Sequence, residues 1–195
     1  MRRPAPAIAG LVLALALAIP AMAQHSDRSD PNDADGRLDL RSVSLDHHPG
    51  PPRWTATSFQ RWTEEQIWDR GYVIVELDTR GDEAVDHLLI VGSDGTELVA
   101  HLYRIRRDGT QAELATIATD KEGARSAVVS VALHKLWIGP NRTAYYWAVL
   151  SSFVGSACPQ TCLDRVPDEG MVEQLLPNVS PSPSPSPSPS PSPSP

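Results

Sequence analysis

The chain has 195 residues, and 24 acidic against 17 basic side chains give a formal net charge of −7. Affinity for nucleic acid or for an anionic membrane rests on clustered positive charge, so this composition argues against both partners. With two cysteines the chain has no disulfide framework, and its length is sufficient to bury a core without one.

Residues 1–23 have the pattern of a secretory signal peptide. Arg2 and Arg3 precede an apolar run from Ile8 to Ile19, and Ala-Met-Ala at 21–23 is a small-x-small cleavage pattern. The apolar run is shorter than the ~20 residues that a membrane-spanning helix needs. We therefore expect cleavage before Gln24, a secreted or cell-wall-associated product, and no membrane span after cleavage.

Two low-complexity segments flank the central part of the chain. Residues 24–36, QHSDRSDPNDADG, contain no hydrophobic residue larger than Ala, which predicts a flexible N-terminal segment. From 180 to 195 Ser and Pro alternate, and such prolines prevent helix and remove sheet donors, so 177–195 is predicted to be a disordered tail. A spacer, a wall-spanning arm or an acceptor of O-linked sugar would fit that tail. One domain is left, at 37–176.

The dominant period within 37–176 is two. Leu98, Ala100 and Leu102, for example, alternate with more polar neighbours, as in a half-buried strand. The predicted strands cover residues 38–45, 54–59, 72–77, 88–91, 97–103, 111–118, 126–133 and 145–150. Turn signals such as Asp-Gly and Gly-Pro-Asn separate them. This pattern predicts an all-β fold, an antiparallel β-sandwich of jelly-roll or immunoglobulin-like type.

One short helix is predicted at 64–69. Thr63 and Gln66 have the spacing of a capping box, and a turn or two of helix would place Ile67 and Trp68 on a sheet.

Five tryptophans in one domain allow two interpretations, core packing or a platform that stacks on sugar rings. We expect Trp62, Trp68 and Trp147 to be buried. Trp54 and Trp137 are the candidates for ligand stacking.

An acidic loop follows the predicted strand at 72–77. Asp78, Asp82 and Asp86 stand at relative positions 1, 5 and 9, a spacing that resembles a calcium loop. Arg80, however, occupies a position where an oxygen ligand is expected, and Glu83 replaces the glycine of the sharp turn. We expect an acidic turn in which Arg80 pairs with Asp78 or Asp82, with calcium as the weaker alternative and no other cofactor.

Cys158 and Cys162 are expected to form a disulfide in an exported protein, closing a small loop near the C-terminus. No nucleophile elbow, phosphate-binding glycine loop or ligand-spaced histidine motif is present, and the adjacent His47 and His48 are expected to lie in a surface loop. No catalytic residue is predicted.

The motifs in their order resemble a group of secreted proteins of high-GC Gram-positive bacteria. They are an opening LDLRSV strand at 38–43, the Trp-containing segment, the Asp-Thr-x-Gly-Asp loop, Tyr146-Trp147, and the cysteine pair followed by DRVPD at 164–168. The order of strands is more remotely similar to DOMON-like and carbohydrate-binding β-sandwiches. This resemblance implies export and a sandwich fold, and it assigns no activity.

The sequence therefore predicts an exported, non-enzymatic β-sandwich that binds a ligand or associates with the cell envelope. A cell-wall or extracellular glycan is the expected partner. The alternative is a hydrolase, or its accessory domain, whose carboxylates at 64, 65, 78 and 82 meet in the folded chain.

Overall fold

A computed structural model describes residues 24–47, 50–139, 141–155 and 157–176. The predicted signal peptide, the Ser-Pro tail and His48 lie outside these residues. Two antiparallel sheets account for most of the described chain, which confirms the prediction of an all-β sandwich. Among the helices described, none has the length and apolar character to cross a membrane.

The strands in chain order are β1 (Gln24–Ser29), β2 (Leu40–His47), β3 (Arg53–Ser58), β4 (Gly71–Asp78), β5 (His87–Ser93), β6 (Leu98–Ile105), β7 (Gln111–Ile117), β8 (Thr119–Asp120), β9 (Ser126–Ser130), β10 (Ala144–Gly155), β11 (Cys158–Val166) and β12 (Val172–Leu175). A single-turn helix, α1 (Glu64–Ile67), precedes β4. A 3-10 turn (Leu133–Leu136) follows β9.

The five strands of sheet A have the order β1-β2-β3-β9-β8, and sheet B has the order β11-β10-β4-β5-β6-β7. β10 is twelve residues long, and one of its edges serves two partners. β12 pairs with Ala144–Trp147, and β11 pairs with residues from Val149 to Gly155. The other edge of β10 pairs with β4, so β10 joins the meander β4–β7 to the end of the described chain.

The alternation seen in the sequence directs one face of each sheet inward. Val43 and Leu45 of β2 face Val75, Leu77 and other apolar residues of sheet B across the core, and all four are at most 1% exposed. Burial of each such side chain stabilises the fold by about 1.5–3 kcal/mol. Trp147 of β10 is fully buried as predicted, and so is Trp62 at 2% exposure.

The N-terminal segment is not the flexible one that the sequence predicted. Gln24–Ser29 pairs in register with β2, from Gln24 opposite His47 to Ser29 opposite Ser42. The prediction was wrong because it considered burial alone, whereas the open edge of β2 offers backbone hydrogen bonds that need no apolar side chain. The His25 ring also lies 2.6 Å from the carboxylate of Asp27 and 2.6 Å from that of Asp46.

The capping box of α1 is present as predicted. Thr63 Oγ1 accepts a hydrogen bond from the Gln66 backbone N–H, and the Gln66 side chain accepts one from the Thr63 N–H. Ile67 packs into the core, but Trp68 is 51% exposed and was wrongly expected to be buried. The helix ends one residue too early for that, because Trp68 adopts extended backbone angles and its ring covers the turn at Gly95.

The predicted disulfide is present. Cys158 and Cys162 are bonded, with their Cα atoms 5.9 Å apart, and both lie on β11. The bridge therefore ties one part of an edge strand to another part of the same strand.

Candidate functional site

The Asp78–Asp86 loop uses its first carboxylate to hold its own backbone. Asp78 is 1% exposed, and its Oδ1 accepts hydrogen bonds from the N–H groups of Arg80 (2.9 Å) and Gly81 (2.6 Å). Its Oδ2 accepts one from the Glu83 N–H at 2.9 Å. Three donors on one carboxylate fix the turn and occupy three of its roughly four lone-pair sites, which leaves little for a cation.

Asp86 closes the same loop from its other end. Its carboxylate accepts hydrogen bonds from the Thr79 N–H and hydroxyl and lies 2.7 Å from His87 Nδ1. Arg80 Nε is 3.3 Å from Asp86 and 3.2 Å from Asp82, so the expected pairing with Asp82 is present. Burial acts to raise the pKa of Asp86, but the hydrogen bonds from His87 and Thr79 outweigh it and hold that pKa below its ordinary value.

A second group of aspartates lies where the connection between β1 and β2 meets β11. Asp30, Asp33, Asp39 and Asp164 each offer a carboxylate oxygen, and the four oxygens lie within 4.8 Å of one another. We call these four residues the aspartate cluster. Asp30, Asp39 and Asp164 are buried and Asp33 is exposed.

The aspartate cluster carries strong mutual repulsion. Burial, followed by the charge of Asp164, raises the pKa of Asp30 to about 7 and that of Asp39 to about 6. Burial also raises the pKa of Asp164, although the Leu40 N–H donates a hydrogen bond to it at 2.5 Å and opposes that shift. Carboxylate oxygens are hard ligands of the kind that Ca²⁺ binds.

A cavity of about 660 Å³ opens on the outer side of sheet B. It lies between the Asp78–Asp86 loop and the connection from β11 to β12, and it is lined by Gly81, Glu83, Val85, Tyr146, Arg165, Gly170 and Met171. We call it the Tyr146 cavity. Tyr146 faces it because the neighbouring Tyr145 and Trp147 both point into the core, and side chains alternate along a strand.

Charged groups in the Tyr146 cavity are held in place by their neighbours. Arg165 Nε donates to Glu76 Oε2 at 3.2 Å, and Arg165 also donates to the Pro167 carbonyl at 2.8 Å. The Tyr146 hydroxyl lies 3.4 Å from Glu173. The cavity thus combines an aromatic ring and a fixed guanidinium with the apolar side chains of Val85 and Met171.

The two tryptophans predicted to stack on a ligand have different surroundings. Trp54 is 1% exposed and packs edge-on against Tyr145 between the sheets, so the prediction for Trp54 was wrong. Its position on β3, opposite Leu45, turns it inward. Trp137 is 62% exposed, and the guanidinium of Arg104 lies 4.3 Å from its ring centroid. A role for Trp137 in ligand binding stays a prediction.

The carboxylates named for the hydrolase alternative are not brought together. Glu64 and Glu65 are on α1, before β4, whereas Asp78 is the last residue of this eight-residue strand and Asp82 follows it, about 25 Å away. Glu64 lies 3.4 Å from Lys121. Asp78 is committed to its own loop.

Sequence reasoning missed both the aspartate cluster and the Tyr146 cavity. The signal for the cluster was present, since Asp30, Asp33 and Asp39 are close in sequence in DPNDADGRLD. The contribution of Asp164 depends on how β11 lies against the connection between β1 and β2, which no local pattern shows. The cavity likewise forms between segments that are far apart in the chain.

No family model, curated protein or solved structure matches this chain. Function is therefore inferred from the geometry and chemistry of these sites, and the resemblance to secreted bacterial proteins stays a prediction.

Proposed function

We propose that the protein is an exported, non-enzymatic β-sandwich module that binds carbohydrate in the Tyr146 cavity. The observation that carries this proposal is the cavity itself, whose volume of about 660 Å³ lies within the usual range of ligand pockets. An extracellular or cell-wall glycan is the proposed ligand.

The lining of the cavity supports a sugar. A sugar ring has an apolar C–H face that packs on an aromatic ring, and hydroxyl groups at its edge that need hydrogen-bond partners. Tyr146 offers such a ring, while Arg165 and Glu83 offer a donor and an acceptor. Because Arg165 is already anchored by Glu76 and Pro167, it would lose little conformational entropy on binding.

A glycan-array screen of the exported protein, followed by calorimetry with the best glycan, tests the proposal. Replacement Tyr146→Ala removes the ring and is expected to weaken binding at least about tenfold, which corresponds to about 1.4 kcal/mol. Tyr146→Phe keeps the ring and is expected to bind within a factor of about three of the wild type.

Trp137→Ala tests the competing prediction, since Trp137 is the exposed aromatic candidate for ligand stacking and does not line the cavity. It is expected to leave glycan affinity unchanged. Binding that fails in Trp137→Ala and persists in Tyr146→Ala would place the ligand elsewhere and contradict the proposal. Release of new reducing ends from the bound glycan would favour the hydrolase alternative.

A further inference from the structure

The aspartate cluster contains buried oxygens that nothing in the described chain satisfies. Asp39 is 3% exposed and Asp30 is 9% exposed, yet Asp39 Oδ1 and Asp30 Oδ2 have no hydrogen-bond partner. A buried polar atom without a partner costs about 1–3 kcal/mol, and the cost is higher for a charged group. Two such atoms in one group of four carboxylates indicate that a further ligand belongs there.

The charge around these oxygens favours a positive ligand. Nine salt bridges are formed by residues that the structure describes, and none of them involves Asp30, Asp33, Asp39 or Asp164. Asp78 and Asp86 are also buried, but donors of the Asp78–Asp86 loop supply their hydrogen bonds. The aspartate cluster has the negative charge without the counter-charge.

The spacing of the four oxygens fits a calcium ion. Ca²⁺ binds oxygen at about 2.3–2.6 Å, so ligands on opposite sides of the ion are about 4.6–5.2 Å apart. The oxygens of the cluster lie within 4.8 Å of one another. Zn²⁺ prefers nitrogen and sulfur ligands, and the cluster has neither. We propose that Asp30, Asp33, Asp39 and Asp164 together bind one Ca²⁺ ion.

The ion would join two distant parts of the chain. Asp30, Asp33 and Asp39 belong to the connection from β1 to β2, and Asp164 belongs to β11 of the other sheet. The same junction is held by the Ser151 hydroxyl, which donates to the Leu38 carbonyl at 2.6 Å. Calcium binding therefore fixes the path of residues 30–39 and, through it, the position of β1 on the edge of sheet A.

Calcium-dependent thermal unfolding of the exported protein tests this site. After treatment with a chelator, millimolar CaCl₂ is expected to raise the unfolding temperature by roughly 5 °C when calcium is about fifty times its dissociation constant. Calorimetric titration with CaCl₂ is expected to give one site per chain. Equal effects of MgCl₂ and CaCl₂ would overturn the assignment to calcium.

Two variants locate the ion. Asp39→Asn removes a buried ligand charge, and Asp33→Asn removes an exposed one at little risk to folding. Each is expected to lower calcium affinity at least tenfold and so to remove about half or more of the temperature shift at the same calcium concentration. Far-ultraviolet circular dichroism reports whether the variant is folded. Asp82→Asn, in the Asp78–Asp86 loop, is the matched control and is expected to keep the full shift. Absence of calcium binding in the wild type, or a shift lost in Asp82→Asn and kept in Asp33→Asn, would overturn the proposal.

Discussion

The Asp78–Asp86 loop and the aspartate cluster contain the same kind of residue in opposite surroundings. In the loop, Asp78 accepts hydrogen bonds from three backbone N–H groups. Asp86 is hydrogen-bonded to Thr79 and His87 and forms an ion pair with Arg80. In the cluster, the carboxylates face one another, and Leu40 supplies a donor to Asp164. The comparison shows that hydrogen-bond donors around the carboxylates, more than the number of aspartates, distinguish a structural turn from a candidate cation site.

The largest effect is expected for Asp86→Ala. Loss of this carboxylate removes the acceptor of the Thr79 N–H and hydroxyl, the partner of the His87 ring and one of the two carboxylates beside Arg80. The free energy of unfolding should therefore fall by about 3–5 kcal/mol. Urea denaturation measures it. In the control Asp82→Ala, the lost side chain is 48% exposed and the change should stay below about 1 kcal/mol. Equal losses in the two variants would show that Asp86 does not organise the loop.

Gly36→Ala perturbs the shape around the aspartate cluster without changing its charge. Gly36 has a φ of 109°, which L residues rarely adopt, and an added Cβ would lie 2.8 Å from the Phe153 ring. The strain should cost about 1–3 kcal/mol in urea denaturation and weaken calcium binding. Gly109→Ala is a control for the backbone term, because its φ is also positive and its Cβ would meet no atom within 4 Å. If Gly36→Ala binds calcium as tightly as the wild type and as Gly109→Ala, the position of residues 30–39 does not govern the site.

The effect of Asp39→Asn on the free energy of unfolding should change sign when calcium is added. The pKa of Asp39 is raised to about 6 by burial and by Asp164, so at pH 8 without calcium its ionised form opposes folding. The amide removes that charge and should stabilise the metal-free protein by about 1–2 kcal/mol. In saturating calcium the same variant should be less stable than the wild type. Urea denaturation at pH 8, once with chelator and once with calcium, measures the two effects. If the variant is less stable than the wild type under both conditions, repulsion between the ionised carboxylates does not destabilise the metal-free protein.

The smallest effect concerns His25, which supplies its own positive charge to Asp27 and Asp46. Hydrogen bonds with Asp27 and then Asp46 raise the pKa of His25 above 6.5. A raised pKa means that its contribution to folding is complete below about pH 6.5 and is lost as the pH rises through the folded-state value. Hydrogen exchange of β1 amides, corrected for intrinsic rates, should show less protection at pH 8 than at pH 6. His25→Gln should remove that difference.

The sequence predicted the two sheets well where a strand has one apolar face. The predicted ranges 72–77 and 88–91 fall within β4 (Gly71–Asp78) and β5 (His87–Ser93), along which buried residues alternate with more exposed ones. The predictions missed β1, β8, β11 and β12, which are short or polar and owe their form to a partner strand. Their pairing is set by backbone hydrogen bonds to β2, β9 and β10, which leave no periodic pattern in the sequence.

The candidate sites were harder to predict than the strands. Spacing drew attention to Asp78, Asp82 and Asp86, because local sequence shows carboxylates and does not show how many N–H groups a turn will direct at them. It directed attention away from Asp30, since a polar run without apolar residues is typical of disorder. Asp164 lies 134 residues after Asp30, and only the folded topology brings the two together.

The long strand β10 also sets the point during synthesis at which sheet B can be completed. Trp147 pairs with Leu77, which lies 70 residues earlier in the chain. β11 and β12 both pair with β10, so neither can join sheet B before β10 does. During synthesis, β4–β7 emerge well before the strand that connects them to the rest, and contacts over such separations form slowly. Sheet B therefore cannot be complete until β10 has emerged from the ribosome.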